Sequence, residues 1–165
     1  IGAGRIWGAE GALQWRRGRF SGGLAGTWME TRNDAELVYA RGNPLPGRPR
    51  WSGHALVQVR FRVRGWTLTP GYRIHLQRDA NFDIAARRPM PDRILHYLRL
   101  TLSPPWEGVR IVLSVHNLGN SLVERVRRLP VPEAGELSHP QPVSNYLGYP
   151  VPGRSLYITV SANTP

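Results

Sequence analysis

The chain has 165 residues, no cysteine and a formal net charge of +11, and all 22 of its basic residues are arginines. This length suits one domain with a sizeable core rather than two. The absence of cysteine excludes disulfides and thiolate metal sites, and no apolar run approaches the ~18 to 20 residues that a transmembrane helix needs. The arginines are dispersed, without a zinc-finger or aromatic RNA-binding signature, so we do not predict nucleic acid as a partner.

Seven stretches of the chain alternate apolar and polar residues with a period of two, which is typical of β-strands with two different faces. They are residues 6–16, 20–30, 54–64, 66–77, 94–103, 109–117 and 155–162. No stretch has the period of an amphipathic helix. The predicted fold class is therefore all-β: an antiparallel up-and-down meander of about seven strands. Whether its apolar side meets a protein core or lipid is decided by the connections between the strands and by the family resemblance described below, which predict a fragment of a large transmembrane β-barrel.

Two details of this pattern make specific predictions. One face of the sheet should carry Leu98, Leu100, Ile111, Leu113, Ile158 and Val160. Pro70 lies inside the fourth strand, where it cannot donate a ladder hydrogen bond, so we expect a bulge or local irregularity there.

The connections between the strands alternate in length. Residues 17–18, 64–65 and 104–108 form short turns, whereas residues 31–53, 78–93 and 118–154 form long polar connections. Short turns at one end and long loops at the other are typical of outer-membrane barrels, and strands of about ten residues can cross a bilayer at a tilt.

Aromatic residues follow the same division between the two ends. Those near the short turns are Trp15, Phe20, Trp66 and Trp106, and those toward the long-loop end are Trp7, Trp28, Trp51 and Tyr72. Indole and phenol rings favour the headgroup level of a membrane, so this distribution predicts two aromatic girdles.

The polar faces of the strands carry the candidate ligand-binding residues. These are Arg60, Arg62, Arg73, Arg99, Arg110, His54, His75 and His116. Five arginines would not fit a small dry core, but they could line a wide, water-filled lumen and favour anionic ligands.

The histidines raise a separate possibility. If residues 64–65 form a two-residue turn, His54 lies directly opposite His75, with Cβ atoms about 4.5–5.5 Å apart. That is close enough to share a metal or a hydrogen-bonded ligand. The expected position of His116 is two strands away, so a third close ligand is missing and we predict ordinary polar residues rather than a metal site.

No motif for catalysis, phosphate binding or dinucleotide binding is present, so the sequence predicts neither an enzyme nor a cofactor. The stretch Asp79-x-Asn81-x-Asp83 has the spacing of the start of a calcium loop. It lacks the glycine and the closing glutamate of such a loop, so we expect a solvated connection there.

The C-terminal region has the features of a known family. Residues 109–123, "VRIVLSVHNLGNSLV", and 148–162, "GYPVPGRSLYITVSA", resemble the C-terminal end of TonB-dependent receptors. In that family the penultimate strand runs into an Asn-Leu turn, and the last strand follows a Pro-Gly-Arg motif. Residues 8–15, "GAEGALQW", and 42–61, "GNPLPGRPRWSGHALVQVRF", also resemble segments of the family.

The resemblance, which covers nearly the whole chain, implies a function. Receptors of this type have about 22 strands, so residues 1–165 are expected to be the C-terminal part of such a barrel, without its plug domain and earlier strands. The implied activity is active uptake of a scarce solute, such as an iron chelate, another metal complex or an oligosaccharide, across a bacterial outer membrane. The implied partners are outer-membrane lipid, TonB acting through the plug, the barrel-assembly machinery and the small-molecule or metal-complex ligand.

The same alternation also allows a second interpretation. A soluble or surface-attached β-domain could bind an acidic polymer with its arginine-rich face. A second sheet would then have to cover its apolar face.

Overall fold

The computed structural model describes residues 3–36, 38–128, 137–143 and 152–162. Within these residues the chain forms strands and turns, and none of them forms a helix that could span a bilayer. The strands are β1 (Gly4–Arg17), β2 (Phe20–Asn33), β3 (Trp51–Val59), β4 (Phe61–Val63), β5 (Trp66–Arg78), β6 (Ala80–Asn81), β7 (Pro89–Met90), β8 (Arg93–Ser103), β9 (Val109–His116), β10 (Val123–Arg128), β11 (Leu137–Pro142) and β12 (Ser155–Ala162).

The main sheet is an antiparallel meander in the order β1-β2-β3-β5-β8-β9-β12, and β4 also pairs with β5. Because β4 continues the path of β3 along β5, the two are one interrupted strand. The sheet therefore has the seven strands that the sequence predicts, each beside its neighbours in that order. The sequence analysis did not identify the two small hairpins, β6–β7 and β10–β11, which lie within the second and third long connections.

The interruption between β3 and β4 lies opposite Pro70. Gln58 opposes Gly71 before the gap and Phe61 opposes Leu68 after it, so the register is unchanged across it. Pro70 still pairs with Leu100 on its other side. The local irregularity predicted at Pro70 is thus a gap in the ladder without an inserted residue, because proline has no N–H to donate.

All seven strands keep their alternation in phase. Directly opposed residues of an antiparallel pair point to the same face. Leu98 opposes Val115, and Leu113 opposes both Leu100 and Ile158. The six residues predicted to share a face do share it. The same phase extends to the first strand through the row Leu13, Leu24, Ala55, Ile74 and His96.

The sheet has almost no core of its own. The chain exposes 12039 Å², whereas size scaling gives about 8,200 Å² for a folded monomer of 18.6 kDa. Ile158 and Val160 are 65% and 66% exposed. Within the described residues, buried apolar side chains are limited to Ala40, Ala80 and Val143, in the long connections. The apolar face of the sheet is therefore uncovered.

The short turns differ slightly from the sequence prediction. Arg64 and Gly65 have φ values of 48° and 82°, as expected for the two central residues of a primed hairpin turn. The first turn consists of residues 18–19 rather than 17–18, because Arg17 already pairs with Phe20. Strands β2 and β3 also extend further than predicted, which shortens the first long connection to residues 34–50.

The long connections are joined to one another by backbone hydrogen bonds. The amides of Gly47 and Arg50 donate to the carbonyls of Asn81 and Asp79 at 2.8 and 2.9 Å. The first long connection is thereby fastened to the second. Its path along the sheet end is fixed by backbone pairing rather than by a hydrophobic core.

Ion pairs among the described residues are concentrated at this long-loop end. They are Arg5–Asp34, Arg32–Asp34, Arg50–Glu30, Arg50–Asp79 and Arg78–Asp92. The hydrogen bond from the Arg5 guanidinium to Asp34, 2.7 Å long, lowers the pKa of that carboxyl. These exposed pairs contribute little stability individually, but they offset part of the positive charge at this end.

A hydrogen-bond clamp, formed by Asn117, Asn120 and Arg154, holds the closing strand β12 in place. The Asn117 amide accepts from the Ser121 N–H at 3.0 Å and donates to the Pro152 carbonyl at 3.3 Å. Asn120 Oδ1 accepts the backbone N–H of Arg154 at 2.9 Å. The Asn-Leu turn and the Pro-Gly-Arg motif, 35 residues apart in sequence, are thus one unit in space.

Glycine at position 153 gives the clamp room for close approach. A Cβ at that position would lie 2.7 Å from a methyl group of Leu122 and 3.0 Å from Asn120 Oδ1. A larger residue would therefore have to displace these two side chains.

We expect Asn117→Ala to lower the free energy of unfolding by about 2–4 kcal/mol. The substitution removes three part-buried hydrogen bonds of the Asn117 side chain to the backbone of Ser121 and Pro152, and it places alanine at a φ of 50°. Urea unfolding followed by tryptophan fluorescence measures the effect. Asn117→Gly removes the same hydrogen bonds without the backbone strain and should cost less. A loss below about 0.5 kcal/mol for Asn117→Ala would contradict the clamp.

Candidate functional site

The polar face of the sheet contains a groove of about 530 Å³ that crosses strands β3 to β12. Five of the eight predicted ligand-binding residues line it: His54, Arg73, His75, Arg99 and His116. Each lies at a polar-face position of its strand. Because polar residues recur at every second position of each strand, side chains up to 62 residues apart in the sequence lie together on one concave surface.

Arg73 and Arg99 are diagonal neighbours in the groove. Arg73 opposes Tyr97 and Arg99 opposes Gly71, which places the two Cα atoms about 7–8 Å apart. No aspartate or glutamate lines the groove, and among the described residues neither arginine forms an ion pair. Two guanidinium groups without a carboxylate partner form a site that favours an anion.

The histidines occupy two separate places. His54 directly opposes His75, as the two-residue turn predicts. His116 instead contacts the rings of Tyr97 and Tyr157, with centroids 5.2 and 4.7 Å away. In the part of the chain that the structure describes, no three histidine or acidic side chains are grouped closely enough to hold a metal ion.

The sequence analysis did not single out Tyr97, which lines the groove, or Tyr157, whose ring contacts the groove residue His116. They lie on β8 and β12, on either side of His116, and add an aromatic wall to a surface that otherwise offers arginine and histidine. The alternation alone could have identified them as residues of the polar face, since both occupy polar-face positions of their strands. An aromatic wall beside cationic groups suits a planar or conjugated anion.

The other three predicted residues lie on the same face but outside the groove. Arg62 opposes Thr67 and Arg110 opposes Ser161, both near the short turns. Arg60 lies in the gap between β3 and β4, where its backbone N–H donates to the Arg19 carbonyl. The predicted set is therefore divided between the groove and the short-turn end.

The side chains of the calcium-like stretch have other partners. Asp83 Oδ1 accepts the backbone N–H groups of Ala85 and Arg87 at 2.9 and 3.2 Å, which closes a turn. Asp79 lies 3.7 Å from Arg50. The two carboxylates serve the local structure of the second long connection.

The apolar face carries the aromatic residues in two groups. At the long-loop end the rings of Trp28 and Trp51 are 6.3 Å apart, and at the short-turn end those of Trp66 and Trp106 are 5.7 Å apart. Tyr72, which the sequence prediction placed with the first group, lies instead at the midpoint of β5. Its hydroxyl hydrogen-bonds His96 Nδ1 at 2.5 Å.

Comparison with solved structures identifies the fold. The chain superposes on the crystal structure of the ferric yersiniabactin uptake receptor FyuA from Yersinia pestis with a TM-score of 0.67 and 20% sequence identity. The match covers 98% of this chain and 24% of the receptor chain. No protein-family model and no curated protein sequence matches the chain. At the level of fold, the resemblance to a segment of a TonB-dependent receptor barrel is confirmed.

We expect the double substitution Arg73→Gln, Arg99→Gln to weaken the binding of inorganic pyrophosphate, used as a probe anion, by at least about tenfold. Each substitution removes a charge-assisted contact worth roughly 1.5–3 kcal/mol. Isothermal titration calorimetry on the purified protein measures the change. Arg41→Gln, Arg48→Gln removes the same charge from exposed positions of the first long connection. An equal loss in both pairs would mean that net charge, and not the groove, binds the anion.

Proposed function

We propose that the chain is part of an outer-membrane, TonB-dependent receptor of a bacterium and that it forms a section of the wall through which a scarce solute is taken up. The uncovered apolar face of the sheet is the observation that carries this proposal. A wall of this kind binds and guides its ligand without making or breaking a bond, so the proposed role is not enzymatic.

The distribution of side chains supports a membrane location for the apolar face. Apolar-face side chains of the two edge strands, such as Leu13 and Ile158, are 63–65% exposed. On the inner strands Leu24, Val57 and Ile94 are still 43–59% exposed, and the alternation stays in phase across all seven strands. Water would make such a surface costly, at roughly 25 cal/mol per Å² of apolar area. Hydrocarbon removes that cost, and the rings at both ends of the strands would lie at the headgroup level.

The alternative of a soluble domain that binds an acidic polymer requires a cover for this face. In the part of the chain that the structure describes, the two small hairpins lie within the long connections, and no second sheet packs against the apolar face. This observation favours the membrane proposal.

The groove suggests the class of solute. Among the described residues Arg73 and Arg99 form no ion pair, and together with the aromatic wall around His116 they favour an anionic solute with an aromatic or conjugated part. An anionic iron chelate or another anionic metal complex has this chemistry. FyuA, which has a similar fold, is an uptake receptor for ferric yersiniabactin. An uncharged oligosaccharide would not use the positive charge of the two guanidinium groups.

Arginine substitutions on the two faces test the membrane proposal. Leu113→Arg and Val160→Arg place a charge on the proposed lipid face, at a cost of about 2–4 kcal/mol near mid-membrane. Both should reduce the heat-modifiable folded fraction of the complete receptor in isolated outer membranes.

The matched controls are Ser114→Arg and Thr159→Arg. Each is adjacent in sequence to a test position but points to the lumen, so the folded fraction should stay near that of the wild type. Equal damage from both sets would mean that the polar face is also packed, as in a sandwich. Equal tolerance would mean that these strands are not embedded in a membrane.

A second experiment tests uptake. Removing the charges of Arg60, Arg62, Arg73, Arg99 and Arg110 together should reduce uptake of an anionic ferric chelate by the complete receptor and leave its folded fraction unchanged. Radiolabelled iron accumulation and heat modifiability are measured on the same cells. Loss of folding with normal uptake per folded molecule would mean that the two faces are reversed.

A further inference from the structure

The short-turn end of the apolar face combines arginines with exposed aromatic rings. Arg19 lies in the first turn, with its guanidinium 5.4 Å from the ring centre of Phe20 and 5.7 Å from that of Phe61. Both rings are at least 40% exposed and lie on the apolar face. The cation thus lies beside two rings of the surface that the proposed function assigns to lipid.

A second arginine of this end borders an apolar hollow. Arg64, in the second short turn, lines a hollow of about 320 Å³ with Val63, Trp66, Leu68 and Leu102. The adjoining Trp66 ring meets Trp106 edge to face. Four of the five residues that line the hollow are apolar, and Arg64 is the fifth.

Among the residues that the structure describes, the arginines on the apolar side of this end form no ion pair. The ion pairs of the described residues lie at the opposite, long-loop end. Arg19 and Arg64 take part in none of these ion pairs. The same is true of Arg17, which opposes Phe20 on the apolar face. Among the described residues, four arginines at the long-loop end pair with carboxylates, whereas Arg19 and Arg64 form no ion pair and neither does Glu107 in the third short turn.

We propose that this surface, formed by Arg19, Arg64 and the rings of Phe20, Phe61, Trp66 and Trp106, binds the phosphate headgroup of an anionic phospholipid in the periplasmic leaflet. The proposal rests on the proposed function, which places the short turns at the periplasmic side. Arg19 and Arg64 bind the phosphate oxygens, the rings lie at the glycerol level, and an acyl chain occupies the hollow. The occupant is a lipid and not a soluble anion, because apolar side chains form most of the surface.

The experiment uses the complete receptor in vesicles that contain brominated phosphatidylglycerol or brominated phosphatidylcholine. The quenching of Trp66 and Trp106 is obtained by difference from the variant Trp66→Phe, Trp106→Phe. The wild type should show preferential association with phosphatidylglycerol, and Arg19→Gln, Arg64→Gln should reduce that preference by roughly fivefold for each arginine. Arg19→Lys, Arg64→Lys keeps the charge and should retain most of it.

Arg16→Gln is the matched control, because Arg16 lies at the same end but on the opposite face. Its preference for phosphatidylglycerol should equal that of the wild type. Insertion without any preference, or an equal loss in Arg16→Gln, would overturn the lipid site and leave the proposed function intact. Failure of the wild type to insert into either vesicle would overturn both.

Discussion

The structure depends on one constraint, the common phase of the side-chain alternation across the sheet. A shift of one residue in any ladder would turn the apolar residues of every following strand to the polar face. The shift does not occur even at Pro70, where the ladder is interrupted but the register continues. The result is a sheet with one continuous apolar face and one arginine-rich face, and it requires an environment that differs on its two sides.

The two ends of the sheet are organised by different interactions. At the long-loop end, backbone hydrogen bonds, ion pairs and the clamp of Asn117, Asn120 and Arg154 fix the connections. At the short-turn end, the tight turns carry Arg19 and Arg64, which form no ion pair with the described residues and lie beside aromatic rings. Between the ends, on the polar face, small residues such as Gly71 and Ser114 leave the space that forms the groove. The groove is therefore a consequence of side-chain size within a regular sheet.

Much of the fold could be predicted from the sequence, because a period of two and a two-residue turn are local properties. The turn at residues 64–65 alone fixes the opposition of His54 and His75. The alternation does not locate the first turn, because residues 16–20, "RRGRF", allow a glycine-containing turn at either of two adjacent positions. Strands β6 and β7 have two residues each, which is too short for alternation to be visible.

The composition of the groove was less accessible to sequence reasoning. The alternation assigned all eight candidate residues to the polar face. Which of them are neighbours depends on the register between strands that are joined by longer connections. A connection of five residues separates β8 from β9, and the long third connection separates β9 from β12. Neither connection fixes a register by itself. The contact of His116 with Tyr157 therefore required the structure.

The most direct test of the account is the environment of successive residues in a single strand. The chain contains no cysteine, so nitroxide labels can be attached to single cysteine substitutions from Arg110→Cys to Val115→Cys in the complete receptor in vesicles. Collision rates with oxygen, which partitions into hydrocarbon, should peak at Ile111, Leu113 and Val115. Rates with a water-soluble nickel chelate should peak at Arg110, Val112 and Ser114. Oxygen and nickel profiles without this two-residue alternation, or with the opposite phase, would contradict a sheet whose apolar face meets lipid.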